Sequence, residues 1–197
     1  RFDTRVIGSI VDYVFAAGDV AAAVAAVADP RVCIVSLTIT EAGYAATSAG
    51  GRSTFDDIVA CLDARRRAAA GPVTIVSCDN LRGNGDVCRQ SVLNVAGRTN
   101  VEVARWIEAN CSFPNSMVDR ITPSTTEADR QYLRDTFGVE DRWPVVSEPY
   151  RQWVIEDDFV AGRPEWERVG VQFTDDVQSW ELYKLRFLNA AHSALAS

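Results

Sequence analysis

The chain has 197 residues, 47% of them hydrophobic and 24% charged, with a net charge of −7, which is the profile of a globular chain able to bury one good core. That acidic balance argues against a nucleic-acid partner, because phosphate binding needs clustered Lys and Arg, and no apolar run approaches the roughly 20 residues of a membrane span. Cysteines at 33, 61, 78, 88 and 111 form no CxxC pair and there is one histidine, so a His/Cys metal site is disfavoured and a reducing, cytoplasmic compartment is expected.

The N-terminus, Arg1-Phe2-Asp3-Thr4-Arg5, lacks a signal-peptide layout. Residues 21–28 are alanine-rich and helical, ended by Asp29-Pro30. Val32-Cys33-Ile34-Val35-Ser36-Leu37 is the continuous apolar run of a buried parallel strand. A helix follows over residues 54–70, with Ser53 as N-cap and Gly71-Pro72 as the stop. Its Arg65-Arg66-Arg67 run reads as a solvated face near the negative end of the helix dipole. Val73-Thr74-Ile75-Val76-Ser77 is a second buried strand, followed by one long helix over residues 86–110 despite Gly97. Such alternation predicts a doubly wound α/β sheet, whose ligands sit at the carboxyl ends of the strands. Thr38 to Glu41 and Cys78 to Asn80 both occupy that position. A short strand is expected at Cys111-Ser112-Phe113, then a helix over residues 127–137. Short strands and loops should fill residues 143–173, the best strands being 152–155 and 171–173. Asp175 or Asp176 should cap a closing helix.

That closing helix carries the chemistry. At about 100° per residue, with Lys184 at zero, Glu181 falls near about 60°, His192 near about 80° and Asn189 near about 140°. Leu185 and Leu188 share the face, so it should be at least half buried. Burial among leucines disfavours a charged lysine and suits it to accept a proton. The same spacing also describes an ordinary amphipathic helix edge, with Glu181 and Lys184 as an i, i+3 pair. Asn80 alone could cap the turn after its strand. Asp119 and Arg120 could be a structural ion pair, and Glu41 could cap a helix.

Several segments together settle the reading toward chemistry. Glu181 and Lys184-x4-Asn189-x2-His192 resemble the active-site helix of the long-chain mannitol dehydrogenase family of polyol and sugar-acid dehydrogenases. Phe113-Pro114-Asn115-Ser116-Met117-Val118-Asp119-Arg120-Ile121-Thr122-Pro123 resembles the family's Val-Asp-Arg-Ile-x-Pro signature. Ser77-Cys78-Asp79-Asn80-Leu81-Arg82-Gly83-Asn84-Gly85 and Ser36-Leu37-Thr38-Ile39-Thr40-Glu41-Ala42-Gly43-Tyr44 are similar to two further family segments. Gln152-Trp153-Val154-Ile155-Glu156-Asp157 and Gly170-Val171-Gln172-Phe173 complete the series.

The resemblance implies a zinc-independent, NAD- or NADP-dependent interconversion of a polyol or sugar acid and its ketose, with no bound metal. It implies Lys184 as general base, with Asn80 and Asn189 as donors to the reacting oxygen. His192 would orient the substrate, Asp119 would bind a substrate hydroxyl or tune Lys184, and Glu181 would pass the proton toward solvent. Asn80, Val118, Thr38 and Glu41 would lie against the cofactor. The architecture implied is part of a Rossmann-like sheet over residues 1–123, a connecting segment over 124–174, and over 175–197 the start of a mainly helical substrate domain. No G-x-G-x-x-G motif opens a βα turn, and family members continue well past the Lys-Asn-His helix. An internal fragment is therefore expected, a poor enzyme when taken alone. The other possibility is an inert module that binds a sugar or nucleotide weakly. The identity of the polyol or sugar acid and the oligomeric state are left open, a monomer being compatible with the sequence.

Overall fold

The computed structural model describes residues 3–16, 18–45 and 53–184. Its centre is a parallel sheet of three strands in the order β1 (Ile34–Leu37), β2 (Val73–Ser77), β3 (Cys111–Ser112). Every residue of β2 is buried. β-Branched and apolar side chains on both faces let a strand be covered on both sides. Ile75 pairs with Val35 in β1, and Thr74 with Ser112 in β3.

Three helices supply the cover, α3 (Thr54–Arg67), α4 (Asn84–Thr99) and α5 (Val101–Asn110), and α1 (Val20–Val27) packs on α3. A shorter helix, α2 (Thr40–Ala45), follows β1 directly. Phe55, Val59 and Leu62 of α3, Val92 and Ala96 of α4, and Val103 and Ile107 of α5 meet Val73 and Ile75 in one core. Ser53 caps α3 as expected, in a box with Asp56: each side chain bonds the other's backbone N–H.

Two sequence expectations are corrected here. The helix expected over residues 86–110 is two helices. Asn100 is extended, with φ −158° and ψ 115°, and its side chain accepts the Glu102 N–H at 2.9 Å, so it closes α4 and opens α5. Asparagine competes for backbone hydrogen bonds in this way, whereas Gly97 stays helical. The Arg65-Arg66-Arg67 run is not uniformly solvated. Arg65 is 1% exposed and donates to the carbonyls of Val27, Asp29, Ala70, Gly71 and Pro72. Where α3 ends and the chain turns into β2, carbonyls lose their helical partners, and a guanidinium offers five donors in one plane.

A second sheet has the order β4 (Ser116–Asp119), β5 (Gln152–Ile155), β6 (Gln172–Phe173). β4 and β5 are antiparallel, and β5 and β6 parallel. Between β4 and β5 runs α6 (Glu127–Phe137), where sequence placed it, capped by Thr126 with Asp129. The closing helix α7 (Val177–Tyr183) is capped by Asp176 and lies on β4 and β5. Its Val177 joins Met117 and Val154 in a small second core. Among the described residues no helix is long and apolar enough to cross a membrane.

The first turn of α4 sits against the link between β3 and β4. A Cβ on Gly85 would lie 2.4 Å from the Phe113 carbonyl oxygen and 2.6 Å from the Pro114 carbonyl, while one on Gly97 would meet nothing within 4 Å. Gly85→Ala is expected to destabilise the protein by about 1–3 kcal/mol through overpacking. Gly97→Ala is expected to stabilise it by about 0.5–1 kcal/mol through helix propensity. Urea unfolding of the two variants checks both signs.

Candidate active site

β1 and β2 end side by side, and the turns that follow them are tied together by one carboxylate. Asp79 is 8% exposed. Its Oδ1 accepts the Thr40 N–H at 2.7 Å and its Oδ2 accepts the Tyr44 hydroxyl at 3.1 Å. Tyr44 also shares a 2.7 Å hydrogen bond with Ser77. Thr40 has φ 61°, the left-handed region that a β-branched residue seldom adopts, and the bond to Asp79 is what holds it there. Burial pushes the Tyr44 phenol above its usual range. Burial likewise raises the Cys78 thiol to about 11 and the Cys88 thiol to about 12. Both stay protonated near neutral pH and are poor nucleophiles.

Asn80 projects beyond this turn, and Lys184 reaches it from the end of α7. The Lys184 ammonium donates to Asn80 Oδ1 at 3.1 Å and to the Val118 carbonyl at 2.8 Å. Asp119 Oδ1 stands 3.6 Å from Nζ. The lysine side chain is 12% exposed. With Asn80 Oδ1 engaged, the amide NH2 is the part of Asn80 left to meet an incoming oxygen. The lysine borders a pocket of about 250 Å³ whose lining includes Glu41, Asn80, Arg82, Met117, Val118 and Glu181. Glu181 is 7% exposed. Its Oε1 accepts the Gly83 N–H at 3.0 Å, while Oε2 has no partner among the described residues.

A buried network joins the two sides of the pocket. Asn84 is 0% exposed. Its Nδ2 donates to Ser77 O at 3.0 Å, Asp79 O at 3.0 Å and Ser116 O at 2.9 Å, and its Oδ1 accepts the Ser116 N–H at 2.8 Å. Asn115 accepts from the N–H groups of Gly85 and Asp86, satisfying two of the donors that a helix start leaves free. Glu156 in turn holds the Asn115 N–H at 2.7 Å.

Of the residues singled out by sequence, Lys184, Asn80, Val118 and Asp119 converge on one amine, and Glu181 and Glu41 line the same pocket. Asp119 belongs to the second, mixed sheet. Asp119 pairs with Lys184, and Arg120 turns to the Glu148 carbonyl. Thr38 is exposed and does not line the pocket. Asn189 and His192 lie outside the described residues. Sequence reasoning passed over Asp79 and Asn84, which hold the turns in place. The glycines on both sides of Asn84 were the available sign that a side chain there comes close to backbone. Among the described residues no cluster of three or more His, Cys, Asp or Glu side chains could hold a metal ion.

The family model for the mannitol dehydrogenase Rossmann domain matches residues 2–168. The chain is similar to a mannitol 2-dehydrogenase of Pyrenophora tritici-repentis (strain Pt-1C-BFP), with 46% identity across 97% of this chain and 38% of that protein. It is also similar to the solved structure of Pseudomonas fluorescens mannitol 2-dehydrogenase in ternary complex with NAD and D-mannitol. That match has 46% identity and a TM-score of 0.86, over 94% of this chain and 42% of the other. A D-sorbitol dehydrogenase in substrate-free form matches at 40% identity with a TM-score of 0.86, again over 94% and 42%. The chain spans roughly two fifths of the length of these relatives.

Glu181 anchors the turn that leads from Asn80 into α4. Glu181→Ala is expected to speed amide hydrogen exchange at Gly83, because its N–H loses the carboxylate acceptor. Glu181→Gln keeps a carbonyl acceptor and should leave that exchange nearly unchanged. Equal acceleration in both variants would mean that the negative charge, and not the acceptor, secures the turn.

Proposed function

The chain belongs to the mannitol dehydrogenase family, and on that premise we propose that the full-length protein is an NAD-dependent dehydrogenase that oxidises a secondary alcohol of a polyol to the ketose. The observation that carries this reading is the Lys184 amine, held between Asn80 and the Val118 carbonyl on the wall of a small pocket. A general base must be within reach of the proton it takes, and Lys184 is the candidate with both the reach and the support. Asn80 supplies the donor for the oxygen as charge develops on it. The family motif adds Asn189 as a second donor and His192 as the group that orients the substrate. Glu181, with one oxygen unpartnered among the described residues, takes the proton onward. Asp119 sits where it can bind a substrate hydroxyl and steady the lysine.

The residues present fit a nicotinamide cofactor. The pocket lies past the carboxyl end of β2, the usual position in such sheets, and Leu81 and Met117 offer apolar surface beside polar Asn80. Asn80, the Val118 carbonyl, Glu41 and, farther out, Thr38 would hold it. NAD, as in the Pseudomonas fluorescens complex, is favoured over NADP, and when bound it supplies the hydride acceptor. The base and donor come from Lys184 and Asn80, so the chemistry is proposed to be zinc-independent. A neutral polyol such as mannitol or sorbitol is favoured over a sugar acid. Glu41, Asp119 and Glu181 surround the site against two cations, Arg82 and Lys184, and carboxylates accept hydrogen bonds from hydroxyls but repel a substrate carboxylate. The five cysteines are free thiols, which supports a reducing, cytoplasmic location.

NAD reduction by the full-length chain, followed at saturating mannitol, sorbitol or mannonate, tests the reading. Turnover with a polyol is expected. Lys184→Ala should lower kcat by about 10² to 10⁴-fold with NAD affinity little changed, and Asn80→Ala should lower kcat by about 10² to 10³-fold. His192→Ala should raise KM as well as lower kcat. Wild-type rates in Lys184→Ala would remove the lysine from its role. Binding of polyol without any turnover by the wild-type chain would favour the non-catalytic binding module instead.

A further inference from the structure

We propose that Asn84 is a positioning residue for the reaction, setting through its side-chain amide the place at which Lys184 is held. The proposal rests on the reading of Lys184 as the base. The two acceptors that fix the lysine amine come from different sheets. Asn80 follows β2 of the parallel sheet, and Val118 lies in β4 of the mixed sheet. Among the described residues these sheets share no strand, so no backbone ladder there sets the distance between the two acceptors.

Asn84 bridges that gap. Its amide is bonded to Ser77 at the end of β2, to Asp79 immediately before Asn80, and to both the N–H and the carbonyl of Ser116, two residues before Val118. Both ends of the amide are used, and the group is planar and short, so the separation of the two segments follows from its geometry. The Ser116 hydroxyl adds a 2.6 Å bond to the Ser77 carbonyl along the same line. Gly85, whose missing Cβ lets α4 approach the Phe113 and Pro114 carbonyls, keeps Asn84 within reach.

The ordinary task of an asparagine at a helix start does not account for these bonds. A capping side chain accepts from N–H groups of its own helix. Asn84 is the first residue inside α4, after the N-cap Gly83, and its oxygen accepts from distant Ser116. The N–H groups of Gly85 and Asp86 go to Asn115 instead. Asn84 therefore adds nothing to the helix start that Asn115 does not already supply, and its bonds are directed at the two strands that carry the lysine's acceptors.

The test is kinetic, in the full-length protein, with Lys184→Ala run in parallel. A displacement of about 1 Å at a reacting group can cost about 10²-fold in rate. Asn84→Ala is expected to lower kcat by about 10 to 10²-fold, with KM and the NAD dissociation constant changed far less. The primary deuterium isotope effect on kcat, measured with polyol deuterated at the reacting carbon, should rise as the chemical steps become limiting. The double variant with Lys184→Ala should be no slower than Lys184→Ala alone, because the effect passes through the lysine. A role in folding alone would lower the melting temperature and leave kcat per folded molecule and the isotope effect as in the wild type. That result, found with Lys184→Ala crippled, would overturn the proposal, and so would additive losses in the double variant. Wild-type turnover in Lys184→Ala would overturn the base assignment by itself, and with it the route by which Asn84 is proposed to act. If Asn84→Ala does not fold, Asn84→Asp decides, since it keeps the shape and the acceptor for the Ser116 N–H and removes the Nδ2 donor to the Ser77, Asp79 and Ser116 carbonyls. A several-fold lower kcat with a raised isotope effect supports the proposal, and wild-type values for both overturn it.

Discussion

The two sheets are joined by side chains rather than by a strand, and the pocket lies on that junction. At one end, Asn84 and Ser116 connect the last residue of β2 to the first of β4. At the other, Thr74 and Ser112 meet across β2 and β3 and bond Val160 N and Asp158 O, just past β5. Buried polar groups are costly unless paired, and these networks pair them in only one relative placement of the sheets. The hydrophobic cores stabilise each sheet, but apolar packing is tolerant of small slides. Hydrogen bonds to backbone are directional, and here they fix the register of one sheet against the other.

Energy from burial concentrates in β2 and the helices over it. Val73, Ile75, Val92 and Ile107 are 0% exposed, and full burial of such a side chain is worth about 1.5–3 kcal/mol. That core is rigid enough to support what it does not itself stabilise: a threonine at positive φ, a buried Arg65 and a buried Glu181 with one oxygen unpaired among the described residues. Arg65 is bonded to five carbonyls and leaves none of its donors idle. Glu181 is different, since an unpaired buried carboxylate oxygen is an expensive feature. Its place on the pocket wall beside Lys184 puts that cost where a ligand, a water molecule or a proton can relieve it.

Lys184 shows how a site of this kind divides its labour. α7 owes its position to Val177 packing on Met117 and Val154 and to the Asp176 cap. Two of the three groups around the amine belong to β4, the Val118 carbonyl and the Asp119 carboxylate, and the third is the exposed Asn80. Family membership gives this constellation its meaning, and the covalent neighbours Asp79 and Asn80 illustrate the distinction within it. Asn80 faces the pocket with its amide, while Asp79 turns inward and binds Thr40 and Tyr44.

Local sequence determined much of this protein. The alternation of apolar runs and helical segments specified the α/β class, and Ser53 and the Asp175-Asp176 pair marked where two helices begin, because a cap is an interaction between residues three apart. The Lys184 motif, Asn80 and Val118-Asp119 were legible through family resemblance, which records side-chain chemistry without coordinates. Tertiary structure decided the rest. Asn100 is the exception, since its bond to the Glu102 N–H is local and was hidden by a propensity pattern that ran straight through. Arg65 left the solvent because carbonyls from α1, its loop and the α3–β2 turn converge on one point, which no window of sequence contains. Asp119 fell in a second sheet because β4 pairs with a strand more than thirty residues away. Asn84 acquired its distant partner the same way, since its two bonds to the Ser116 main chain exist only once two sheets have met.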